Sequence, residues 1–253
     1  GFTADNTQTY FDAAGNAVPT RYWPEEDPTS PYRMCGHPDP DHGWEGGRVQ
    51  RDKGFIAEGS GNDEYALGFY GPEDIPTYAR LARRFTTFDR YHCSLMASTY
   101  PNREYLHSAQ SGGNKDNYMP IEERGFQWAT IWDRLMAAGV SCGHYFIDVP
   151  TTLLWGARLM PITAHIEQYF ARAATGTLPS VTFVDPGFTT DLQTDDHPNN
   201  GDMQAAQRFV FDVFKAFADS PHWQNGVFIV TYDEWGGFFD HVPPPVLPDD
   251  RAS

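Results

Sequence analysis

The sequence predicts an α/β protein, a three-layer α/β/α sandwich around a mostly parallel sheet. From Asp74 onward, segments with apolar residues at helical spacing alternate with short apolar, β-branched runs. Alternation of this kind places helices on both faces of a parallel sheet. The last run, "GVFIVTYDE" at 226–234, is apolar almost throughout, the pattern of a strand buried on both faces. Three predicted strands also end in acids, at Asp148, Asp185 and the pair Asp233–Glu234, and ligands of open parallel sheets bind beyond the carboxyl ends of the strands.

Taken in order, residues 1–64 are rich in Pro, Gly, Asp and Asn and read as a long irregular segment. "EDIPTYARLARRF" has Ile75, Tyr78, Leu81, Ala82 and Phe85 on one helical stripe. "FTTFDRYHCSLM" is a β-rich run leading to Ser98 and Thr99. "WATIWDRLMAAGV" reads as a helix closed by Gly139, and "SCGHYFIDVP" as a strand. "ITAHIEQYFARAATG" reads as a helix closed by Gly176, and "SVTFVDP" as the next strand. "DMQAAQRFVFDVFKAFA" is the clearest helix, with Asp202 as its cap and Met203, Ala206, Val210, Val213 and Phe217 facing inward. With no repeat or linker, the 253 residues read as one domain.

Composition narrows the function. The formal charge is −16, which argues against a nucleic-acid partner, since that needs a basic footprint. Clustered carboxylates suit a divalent cation better, although most of the acids serve a solvated surface. Cys35, Cys93 and Cys142 include no C-x-x-C pair, so a zinc ribbon is not expected, and one disulfide or none fits equally. No apolar run approaches the roughly 20 residues of a membrane span.

Four clusters carry chemistry. Asp233 and Glu234 put like charges side by side at a strand end, where they repel unless a cation or proton intervenes. Oxygen ligands of this kind suit Ca²⁺, Mg²⁺ or Mn²⁺, and Gly236 and Gly237 allow a sharp turn beside them. By spacing alone, a capped turn with one solvent-facing acid explains the pair equally well. "DLQTDDHPNNGDM" gathers Asp195, Asp196 and His197, with Asp202 assigned to the helix cap. In "ASTYPNREYLHSAQSGG", Ser98 and Thr99 offer hydroxyls and Arg103 an oxyanion clamp, against the commoner reading as turn chemistry. In "PDPDHGWEGGR", His42 lies beside Trp44, and a structural contact between them is as good a reading as a functional one. Together the clusters point to metal-assisted phosphoryl or sulfuryl transfer. No Cys-x-Pro-x-Arg site of the sulfatase kind is present.

The segments "STYPNR", "DDHP" and "TYDEWGGFFDHVPPP", with "DHGWEGG", "ALGFY" and "FVDP" in order, resemble the bacterial and plant phosphoesterase family. That family contains the non-haemolytic and non-specific phospholipases C and related acid phosphatases. The likeness covers roughly residues 35–245. It implies an alkaline-phosphatase-like fold and a divalent metal, Ca, Mg, Mn or Zn, on Asp233, Glu234 and Thr99. It makes Thr99 the nucleophile, two residues before Pro101-Asn102-Arg103, with Asn102 and Arg103 at the substrate. His197 and His42 face the phosphate, and Asp196 supports them. The implied reaction is phospholipase C-type cleavage through a phospho-threonine. The alternatives are an acid phosphatase acting on monoesters, or a degenerate phosphate-binding relative. A phospholipid or small phosphoester, peripheral contact with a membrane surface and a secreted or periplasmic location are implied as well. The family's Glu-Asn-Arg-Ser-Phe-Asp motif and its C-terminal end are missing here, and Trp235 stands where a histidine is usual.

Overall fold

Asp12 turns the chain back near its start: its Oδ1 accepts from the N–H groups of Ala14 and Asn16 at 2.9 and 2.7 Å, an Asx-type turn. The turn joins β1 (Thr9–Phe11) to β2 (Ala17–Pro19), which pair antiparallel. The structure is a computed structural model that describes residues 9–12, 14–22, 37–57, 62–189, 191–198, 201–240 and 242–247. A short β3 (Arg21–Tyr22) precedes α1 (Trp44–Lys53) and pairs in parallel with β4 (Gly68–Phe69). Three helices follow: α2 (Pro76–Arg84), α3 (Thr99–Ser108) and α4 (Ile131–Ala137).

The main sheet is parallel and has the order β6-β5-β7, from β5 (Cys142–Phe146), β6 (Thr163–His165) and β7 (Val181–Val184). His144 of β5 lies opposite Thr163 on one side and Phe183 on the other. Side chains alternate across a strand. Cys142 and Phe183 therefore join a core of Trp132, Leu154, Trp155 and Leu159 on one face, and Tyr145 and Val184 join Ile166, Tyr169 and Val213 on the other. The second face is covered by α5 (Ile166–Thr175) and α6 (Met203–Ala218). The protein is thus mixed α/β with a parallel sheet. No described helix is long and apolar enough to cross a membrane.

Capping follows local chemistry. Thr130 and Asp133 form a reciprocal capping box on α4, and Gly139 and Gly176 take positive φ where α4 and α5 end. The Asp202 carboxylate accepts from the N–H groups of Gln204 and Ala205 at the start of α6. Asp202→Ala is expected to cost about 1 kcal/mol, measured as a lower urea midpoint with an unchanged slope.

Three expectations fail, the first being Thr163–His165, read as the start of a helix, which forms β6 paired with β5. The runs at 85–93 and 227–232 form no strand: Phe88 is 75% exposed, and Val227 and Ile229 are 84% and 75% exposed. Among the described residues neither run pairs with another strand, and an apolar segment becomes a strand only through its ladder partners. Phe228 alone of the second run packs inward, against Phe214 and Phe217 of α6.

Two helices also stand where apolar spacing predicts none. The buried residues of α1 are Gly46, Gly47 and Gln50. Those of α3 are Pro101, Asn102, Arg103, Glu104 and His107. Neither helix turns an apolar stripe inward, so hydrophobic periodicity misses both. Cys93 and Cys142 are free thiols, and Cys35 lies outside the described residues.

Candidate active site

Thr99 is the first residue of α3, half-buried on the wall of a cavity of about 2730 Å³. Its hydroxyl makes no hydrogen bond to a described residue. The first amides of a helix carry partial positive charge and favour an anion nearby, whether an alkoxide or a phosphoryl group. Asp233, Glu234, Asp195, Asp196 and His197 line the same cavity.

Asn102 and Arg103, expected at the substrate, face protein groups instead. The Asn102 amide donates to the carbonyls of Leu95, Ala97 and Ser98 and accepts from Leu95 N–H. It holds the loop that delivers Thr99. Arg103 is 7% exposed and joins two acids: Nη1 donates to Asp185 Oδ1 at 2.7 Å, and Nε donates to Asp233 Oδ2 at 2.9 Å. Asp185 is 1% exposed, and its other oxygen accepts from Thr151 Oγ1 at 2.8 Å and lies 3.0 Å from His144 Nε2. Burial alone would raise the Asp185 carboxyl. Arg103, with His144 and Thr151, outweighs this and holds it well below the usual carboxylate range. The third strand-end acid, Asp148, accepts from the N–H groups of Phe188 and Thr189, fixing the turn that sets Phe188 against the Arg103 guanidinium.

Behind the acid pair, two loops are locked together. Gly237 has φ +76°, and a Cβ there would lie 2.7 Å from Pro40 Cβ and 2.9 Å from its carbonyl oxygen. Only glycine allows this approach. Gln50 of α1 clamps both loops, donating to the carbonyls of Asp41 and Gly237 and accepting from Trp235 Nε1. Trp235 is therefore a strut between the acid pair and α1. His42, on the first of these loops, lies against His197, with ring centroids 5.5 Å apart. His42 Nδ1 lies 2.9 Å from Pro40 O, and His197 Nδ1 lies 2.8 Å from Pro198 O. With Nδ1–H donated to a carbonyl, each ring is left with Nε2 for a ligand or a proton.

Asp39 completes this corner: ligand atoms of Asp39, His42 and His197 lie within 4.8 Å of one another, a group that could hold a metal ion. Burial pushes the Glu234 carboxyl up to about 7, His42 pulls it down, and Asp233 pushes it up again. A half-buried pair of adjacent acids favours a cation beside it. The donors are hard oxygens on Asp233 and Glu234 with two imidazoles close by, a set that fits a divalent ion.

Asp196 ties elements together. Its Oδ2 accepts from Tyr78 of α2 at 2.8 Å. Burial raises its carboxyl above the usual range. Of these supports, Asp39, Gln50 and His144 carry no sequence signal of their own. Asp185 was legible as a strand-end acid, though not as the partner of Arg103.

A helix N-terminus bearing a hydroxyl, an acid pair and two histidines, on an α/β frame, are groups that could act on a phosphate ester. The chain matches the Phosphoesterase family over residues 11–253 and belongs to it. It is 34% identical over 233 residues to non-specific phospholipase C6 of Arabidopsis thaliana, covering 83% of this chain and 44% of the relative. It is 38% identical over 185 residues to non-specific phospholipase C1 of the same plant, covering 70% and 34%. It is 30% identical over 258 residues to the non-hemolytic phospholipase C of Burkholderia pseudomallei, covering 84% and 36%. The chain thus spans less than half the length of these relatives. The family is generally metal-dependent.

Proposed function

We propose that the chain carries the catalytic site of a phospholipase C-type phosphoester hydrolase that works through a phospho-threonine. The observation that supports this most is the free Thr99 hydroxyl at the start of α3, on the cavity that also holds Asp233, Glu234 and His197. Asp233, Glu234 and the Thr99 oxygen would hold the divalent ion. Their oxygens suit Ca²⁺, Mg²⁺ or Mn²⁺, and the neighbouring Asp39, His42 and His197 leave Zn²⁺ open. Bound there, such an ion supplies positive charge that acidifies the hydroxyl and neutralises a phosphoryl oxygen.

In this reading the Thr99 hydroxyl gives its proton to Nε2 of His197 or His42, Oγ1 attacks phosphorus, and the bond to the diacylglycerol oxygen breaks. His197 or His42 delivers a proton from Nε2 to that leaving oxygen. Water then attacks phosphorus, the bond to Thr99 breaks, and the histidine takes up the proton of the water. The N-terminal amides of α3 stabilise the charge on the phosphoryl group.

The finer fold we infer is the three-layer, alkaline-phosphatase-like sandwich, forming a single catalytic domain. It is supported by apolar clusters on both faces of the parallel sheet and by the family. A secreted or periplasmic location and peripheral contact with a membrane surface are consistent with a phospholipid substrate.

The test is hydrolysis of phosphatidylcholine and p-nitrophenyl phosphate side by side, with and without chelator. Chelator-sensitive release of diacylglycerol from the lipid is the expected result. Cleavage of the monoester alone would make the protein a phosphatase, and cleavage of neither would remove the hydrolase reading.

A further inference from the structure

Arg103, Asp185 and Asp233 form one buried line of charge, and the order of the groups gives each end a different task. Arg103 bears one positive charge and contacts two carboxylates. Asp185 is enclosed on every side: Arg103 on one oxygen, and Thr151 Oγ1, Thr151 N–H and His144 Nε2 on the other. His144 is fully buried, its ring stacked on Phe183 at 5.3 Å and edge-on to Trp132. Asp233 faces the cavity and is the more exposed of the two acids, 26% against 1%. The charge of Arg103 is thus matched by Asp185, deep in the protein. Asp233 receives one hydrogen bond that orients it while its own charge stays available.

We propose that Asp185 is the counter-charge of Arg103 and thereby a positioning residue for Asp233, with Thr151 and His144 holding Asp185 in place. This rests on the reading that Asp233 binds a cation. Without the negative charge of Asp185, the guanidinium would pair with Asp233 alone and compete with the ion for it. The role of Asp185 is therefore electrostatic, which distinguishes it from a packing role.

The experiment is calorimetric titration of Mn²⁺ into the chain and its variants, with thermal unfolding of each protein in parallel. Asp233→Asn should lose binding. Asp185→Asn, of nearly equal shape, should bind Mn²⁺ about 10- to 100-fold more weakly, the range for groups that support metal ligands. Adding Arg103→Gln to Asp185→Asn removes the competing charge and should recover affinity relative to the single variant, a rescue that packing alone would not produce. Where Asp185→Asn does not fold, Thr151→Val removes one hydrogen bond to Asp185 and should weaken binding in the same direction by a smaller factor. Wild-type affinity in folded Asp185→Asn, no recovery in the double variant, or wild-type affinity in Thr151→Val where that substitution stands in, overturns the proposal while the cation site stands. No binding by the unaltered chain, or an Asp233→Asn variant that binds as well as the parent, overturns the cation site and this proposal with it.

Discussion

Thr99→Ala is expected to abolish turnover of a chromogenic phosphodiester, with a loss of about 10³- to 10⁶-fold, as when a catalytic nucleophile is removed elsewhere. The fold should survive. Thr99 is half-buried, makes no hydrogen bond through its hydroxyl to a described residue, and starts a helix, where alanine is at least as well accommodated. Asn102, which shapes the loop before it, is untouched by the change. The check is turnover and thermal unfolding of the same preparation. An unchanged melting temperature with lost turnover assigns the chemistry to the hydroxyl, and Thr99→Ser should retain part of the rate. Undiminished turnover in Thr99→Ala would move the nucleophile to another residue.

The second large effect is on stability and comes from Glu104, one turn further along α3. It is fully buried, and among the described residues it accepts only from Asn114 Nδ2 at 3.1 Å, its Oε1 having no partner. Burial pushes its carboxyl up to about 7, with Asn114 pulling it slightly back. In the unfolded chain the value is about 4.3. The folded state therefore binds the proton more tightly, and the resulting stability is fully present below about pH 4.3 and lost as pH rises through about 7. The shift corresponds to about 4 kcal/mol. His107, on the same buried face, is lowered to about 3 by burial and by His144, so it stays neutral across this window. Urea unfolding at pH 5 and pH 8, in the parent and in Glu104→Gln, separates Glu104 from other titrating groups. The parent should lose more stability at pH 8 than the glutamine variant does. Equal losses would mean that Glu104 is ionised in the fold.

These two positions show what sequence reading can nominate and where it stops. Thr99 was legible because it stands in an ordered motif, "STYPNR", that resembles a known family. Glu104, the residue immediately after that motif, was not. Its weight comes from burial, and a glutamate on a helix with no apolar stripe reads as a surface residue. Arg103 was legible as a functional cation, but its partners Asp185 and Asp233 lie 82 and 130 residues away. The strand-like runs at 85–93 and 227–232 have the right residues, yet strand pairing depends on neighbours that a local pattern does not contain.

By itself, the sequence determined the alternation that makes an α/β protein with a parallel sheet, the caps at Asp202, Gly139 and Gly176, and the motifs of the family. These depend on spacing and backbone chemistry within a few residues. Only the tertiary structure decided that Arg103 faces two acids, that Gln50 clamps two loops behind Glu234, and that α1 and α3 bury glycine and polar side chains. Such features arise from contacts between distant segments, where a polar group is acceptable in the interior because a specific partner, set by the fold, lies within hydrogen-bonding reach.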